Sequence, residues 1–128
     1  MAVIFKAKSF SFSALAGKIE LRLEERRKGF VGSLSPSLQC SDWLVDTVEV
    51  ASLSPGEEDF AKSFRENGKA LMVHKGCNKS GCFLVAAVFA DGGRRGGISF
   101  LEGREGWGWQ CIVGELRKFL GFLAAERP

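Results

Sequence analysis

By residue type, the atoms best suited to chemistry are the thiols of Cys40, Cys77, Cys82 and Cys111 and the imidazole of His74. His74, Cys77 and Cys82 approach the spacing of metal ligands. A zinc site, however, draws its donors from closely spaced pairs. The chain has no C-x-x-C pair, and its 128 residues include 1 histidine. Cys77 and Cys82 flank a turn, Asn78-Lys79-Ser80-Gly81, which lets them face each other across two strands. With no export signal in view, free buried thiols are expected in preference to a disulfide or a metal site, and no metal or cofactor is implied. A cysteine beside His74 is the one pairing to weigh for nucleophilic catalysis, and a hairpin register sets the two apart. There is no Ser/His/Asp set, and the carboxylates are scattered. Gly92–Gly97 lacks the strand-to-helix setting and the lysine-serine ending of a phosphate loop. The reading is non-catalytic.

Cations offer more. The net charge of +3 permits contact with nucleic acid without demanding it. A groove for single strands needs cations along the phosphate path and flat groups on which bases stack. The candidate cations are Lys6, Lys8, Lys18, Arg22, Arg26, Arg27, Lys69, Lys75, Lys79, Arg94, Arg95 and Arg104. Any one of them can equally be a solvated loop residue, and Arg22 has Glu20 and Glu24 as neighbours to pair with. Of the aromatic residues, the 11 phenylalanines read mostly as core and tyrosine is absent. Trp107, between Gly106 and Gly108, either offers a stacking surface or plugs the mouth of a sheet–helix interface.

These residues need elements to position them. Residues 3–12 read as a first strand, followed by a turn from Ala14 to Gly17. Lys18–Glu24 alternates cleanly, with Ile19, Leu21 and Leu23 on one face and charges on the other. Gly29 breaks the run, and Phe30–Leu34 returns before Pro36. Ser41 reads as the N-cap of a helix from Asp42, although the β-branched stretch Val45–Val50 argues against it. Phe60–Arg65 and Lys69–His74 form strands around the turn dipeptide Asn67-Gly68. Phe83–Ala90 reads as a central strand covered on both sides. Asp91–Gly97 reads as a hairpin tip bearing Arg94 and Arg95, and Ile98–Leu101 returns. From Trp107, the stripe Trp109, Ile112, Val113, Leu116, Phe119, Leu120 and Leu123 predicts a helix.

Short echoes join the two halves. Lys8-Ser9-Phe10 returns as Lys62-Ser63-Phe64 and Gly29-Phe30-Val31 as Gly81-Cys82-Phe83, a period of roughly 50 residues. The expected fold is α+β, with two strands-plus-helix repeats building one antiparallel sheet whose helices pack on one face. The repeats run over about 3–54 and 60–125 of a single domain spanning 1–128, joined by a linker over about 54–59. No run reaches the roughly 18 apolar residues of a membrane span, and Lys6 and Lys8 interrupt what a signal peptide would keep apolar. An intracellular protein, nuclear or cytoplasmic and without membrane contact, is the expectation.

Strands followed by a helix, twice over, resemble the PUR repeat and the related Whirly-type folds, which bind single-stranded nucleic acid. The segments Lys62-Ser63-Phe64-Arg65-Glu66, Asn78–Leu84, Gly92–Gly96 and Glu102–Trp109 look like a plant domain found near the N-terminus of retrotransposon-related polyproteins, chiefly LINE-type. Phe10-Ser11-Phe12, Glu24–Gly29 and Trp43-Leu44-Val45 extend that likeness more weakly. The resemblance implies a single-stranded DNA- or RNA-binding accessory domain, and PUR-like units imply a homodimer. The competing expectation is a protein-interaction or dimerisation module that binds no nucleic acid.

Overall fold

The computed structural model describes residues 2–5, 8–14, 21–27, 29–53, 59–79, 81–103 and 107–125, and for 2–5, 8–14, 27, 30 and 122–125 it describes the backbone alone. The described elements are β1 (Ala2–Phe5), β2 (Lys8–Ala14), β3 (Leu21–Arg27), β4 (Phe30–Leu34), α1 (Leu38–Ser52), β5 (Ala61–Glu66), β6 (Lys69–Asn78), β7 (Gly81–Ala90), β8 (Gly93–Leu101) and α2 (Trp107–Ala125). Four strands and a helix are thus followed by four strands and a helix. The first four strands form one antiparallel meander and the last four another. The chain is α+β.

Two sheets replace the single sheet expected from the sequence, and the junction between them explains why. Strands β4 and β8 come so close that a Cβ on Gly96 would lie 2.7 Å from the Ser33 carbonyl oxygen. Yet the free edge of β8 is taken by a side chain. The Ser99 amide donates to Glu25 Oε1 at 2.9 Å. Glu25, on β3, is only 1% exposed. A buried carboxylate therefore satisfies an edge N–H that a neighbouring strand would otherwise pair.

Local patterning accounts for most of the elements. In β3, Leu21 and Leu23 are fully buried, while Arg22, Glu24 and Arg26 lie on the opposite face. The segment 3–12 makes two strands rather than one, β1 and β2, paired through Val3 and Phe10. Lys18–Glu20 and most of the expected turn at Ala14–Gly17 lie outside the described residues. The sequence echoes fall on non-equivalent strands, β2 with β5 and β4 with β7. What repeats is the order of elements.

Helix α1 starts earlier than expected. Ser37, not Ser41, is the N-cap: its side chain accepts from the Cys40 amide at 3.1 Å. Pro36 ends the extended segment just before it, and Ser41 is buried with its hydroxyl donating to the Ser37 carbonyl at 2.7 Å. The helix persists through its β-branched stretch because Leu44, Val45, Val48 and Ala51 are all buried. Each large side chain of that stripe contributes about 1.5–3 kcal/mol, against a propensity penalty of at most about 0.7 kcal/mol per residue. In α2, Trp109, Ile112, Val113, Leu116 and Phe119 form the expected buried stripe. These residues join the inner rows of both sheets in one core. Among the described residues no helix is long and apolar enough to cross a membrane.

Cys77 and Cys82 are not free thiols. They are direct register partners on β6 and β7, with Cα atoms 4.0 Å apart, and form a disulfide. Cys40 and Cys111 are free. Among the described residues, no three His, Cys, Asp or Glu side chains are grouped so as to hold a metal ion.

Candidate nucleic-acid interface

Register divides the second sheet into two faces. Leu71, Val73, Leu84, Ala86, Ile98 and Phe100 point into the core and are buried. The opposite face carries Ser63 and Arg65 from β5 and Ala70, Met72, His74 and Gly76 from β6. It continues with Phe83, Val85, Ala87 and Phe89 from β7, and Arg94, Gly97 and Ser99 from β8. None of those outward strand positions holds a carboxylate. The apolar run of β7, expected to be covered on both sides, is covered on one: Phe89 is 38% exposed and its neighbour Met72 41%.

Two glycines let flat groups lie down on this face. A Cβ at Gly76 would fall 2.6 Å from the ring of Phe83, its cross-strand partner, and the Arg94 guanidinium occupies the space that a side chain at Gly97 would fill. One ring and one guanidinium are thereby held against the sheet rather than projecting from it. Close by, a groove of about 580 Å³ runs past Arg65, Met72 and Phe89 between the turns Asn67-Gly68 and Asp91-Gly92. Arginines bordering exposed apolar and aromatic side chains, at outward strand positions that carry no carboxylate, suit an anionic polymer with stackable bases, while Glu66 and Asp91 are the acids that line the groove. No protein-family model matches the chain, and no curated protein matches it.

The candidate cations do not converge on one surface. Arg22 and Arg26 lie on the outer face of the first sheet, where both bind Glu24, at 3.1 and 2.8 Å. Hydrogen bonds from Arg22 and then Arg26 hold the Glu24 carboxyl below its ordinary range. One carboxylate thus neutralises half of that pair. Arg94 and Arg95 belong to β8 rather than to a hairpin tip, because the tip is only Asp91-Gly92, with φ of 52° and 77°. A bulge between Val88 and Phe89 then sends the two arginines different ways. Arg94 stays on the outer face. Arg95 donates through Nε to the Ala90 carbonyl at 3.2 Å and pairs with Asp91 at 3.8 Å.

Lys69 begins β6 beside the groove. Lys75 belongs to the inner row, its ammonium 5.7 Å from the centroid of the Trp109 ring. Lys79 lies in the turn after β6, at the disulfide end of the sheet. Trp107 opens α2 and is 55% exposed. The plugging role weighed for it belongs to Trp109, which is 1% exposed and donates to the Phe100 carbonyl at 2.9 Å. Lys8 and Arg27 occupy strand positions known through the backbone alone, and Lys6, Lys18 and Arg104 lie outside the described residues.

Arg65, Met72, His74, Phe83 and Phe89 complete the face and were not among the candidates. The alternation Leu71-Met72-Val73-His74 carried the signal for two of them. Phe83 and Phe89 were masked by the unbroken hydrophobicity of β7, which conceals which side is wet.

Proposed function

We propose that this chain binds single-stranded nucleic acid, without catalysis, on the helix-free face of its second sheet. The observation that carries the reading is the absence of carboxylates from that face's outward strand positions, where Arg65 and Arg94 stand beside exposed Met72 and Phe89. The repeated order of four strands and a helix supports a PUR- or Whirly-like reading of the unit, and the likeness to plant retroelement domains agrees with it. Phosphates are met by the two arginines, and bases stack on Phe89 and on the Phe83 ring.

Fluorescence anisotropy with labelled oligo(dT) and oligo(U) of about 16 nucleotides in about 50 mM salt tests this. The expected result is binding whose log–log salt slope becomes shallower by about 1.4 when Arg65 and Arg94 are both replaced by Gln. Phe89→Ala is expected to lose about 1–3 kcal/mol of binding. The absence of any anisotropy change at low salt refutes the reading. In that case a second copy of the chain, seated on Met72 and Phe89, is the better occupant, and a dimer mass in light scattering that Phe89→Glu abolishes would establish it.

A further inference from the structure

We infer that the cavity between the two sheets is a site for one nucleoside monophosphate unit. The inference deepens the single-strand reading and rests on it for the source of the nucleotide. The cavity, about 340 Å³, lies between the β4–α1 connection, the β5–β6 hairpin and the bulged start of β8. That volume falls at the lower end of ligand pockets, which run to about 300–1,000 Å³.

Its walls are of two kinds. Phe64, Leu71 and Val88 make an apolar side suited to a base, and Phe64 is steadied by Trp43, with ring centroids 5.5 Å apart. The lining also carries Lys69, Arg95 and Glu66. The bulge is what re-aims Arg95 from the outer face to the cavity, and the Ala90 carbonyl, 3.2 Å from its Nε, fixes the guanidinium there. Both oxygens of Glu66 accept from the Ser37 hydroxyl at 2.8 Å. The carboxylate is thereby fixed as an acceptor for base N–H groups. Lys69 and Arg95, the latter also paired with Asp91 at 3.8 Å, are the cations available to a phosphate monoester.

The cavity also continues the proposed binding face. Glu66, Asn67 and Lys69 line both this cavity and the outer groove. A strand lying in the groove therefore needs to pass only the Asn67-Gly68 turn for its terminal nucleotide to enter.

The ligand chemistry has two sources, a strand end or a free mononucleotide, and the experiment separates them. The full chain, labelled with 15N, is titrated with the four common nucleoside 5′-monophosphates and, as controls, with nucleosides and inorganic phosphate. Oligonucleotides with and without a 5′-phosphate are measured in parallel. The expected result is saturable amide shifts at Ser35, Ser37, Lys69 and Gly96 with a mononucleotide, weakened at least about tenfold by Arg95→Ala, and abolished by Ser35→Trp, which fills the cavity. Melting curves confirm that both variants fold. A tighter grip on the phosphorylated oligonucleotide that Ser35→Trp removes assigns the site to strand ends. Mononucleotide binding without oligonucleotide binding assigns it to free nucleotides and removes the strand reading. Oligonucleotide binding with no mononucleotide shifts, and with no effect of the terminal phosphate, overturns the inference and leaves the strand reading standing.

Discussion

Burying a carboxylate demands hydrogen-bond partners, and at 1% exposure Glu25 finds one in the Ser99 amide 2.9 Å away. Glu25→Ala leaves that N–H unsatisfied in the core and is expected to lower the unfolding free energy by about 1–3 kcal/mol, measured by urea titration. Glu25→Gln keeps a carbonyl acceptor and is expected to lose less. The strand alternation of Leu21 and Leu23 was legible in the sequence. That Glu25 continues their buried row was not, because its partner lies on a strand remote in the chain. Cys40 is a second residue set by its surroundings: burial, and then the negative charge of Glu66, push its thiol from 9.0 up to about 12. The unfolded chain gives up this proton above about pH 9, whereas the folded chain keeps it until about pH 12. The stability it contributes is thus complete below about pH 9 and is lost as pH rises towards about 12. Cys40→Val is expected to flatten that part of an alkaline melting series.

At the scale of elements, hairpins are set by local turn chemistry. The Asn67-Gly68 turn was readable as a dipeptide, and its φ values of 49° and 74° meet the requirement of such a turn for positive φ. The bulge in β8 left no comparable trace, so Arg94 and Arg95 looked like tip residues. Likewise, the facing positions of Cys77 and Cys82 were legible, but their bond was not, since redox state is not written in spacing. That disulfide closes a very short loop, worth about 2 kcal/mol in the chain-entropy account. Thermal melts with and without reductant are expected to differ by that amount, and the Cys77→Ser/Cys82→Ser variant is expected to lose the difference. Helix α1 shows the converse, in that its β-branched run is a poor helix former held helical by a buried stripe.

Across the whole molecule, the decisive feature is how two meanders meet. Gly96→Ala places a methyl group 2.7 Å from the Ser33 carbonyl oxygen, and two backbones cannot swing aside as a side chain does. The expected loss is about 1–3 kcal/mol of stability, visible as a lower melting temperature, together with a widened cavity between the sheets. By itself, the sequence determined the α+β class, the order of strands and helices, and the apolar stripes, because periodicity and turn residues act within a few positions along the chain. Tertiary structure alone decided that there are two sheets, that Glu25 caps an edge, and that Arg65, Phe83, Phe89 and Arg94 share an open face. Those outcomes depend on which remote strands come into contact, and side-chain burial is settled only by that contact.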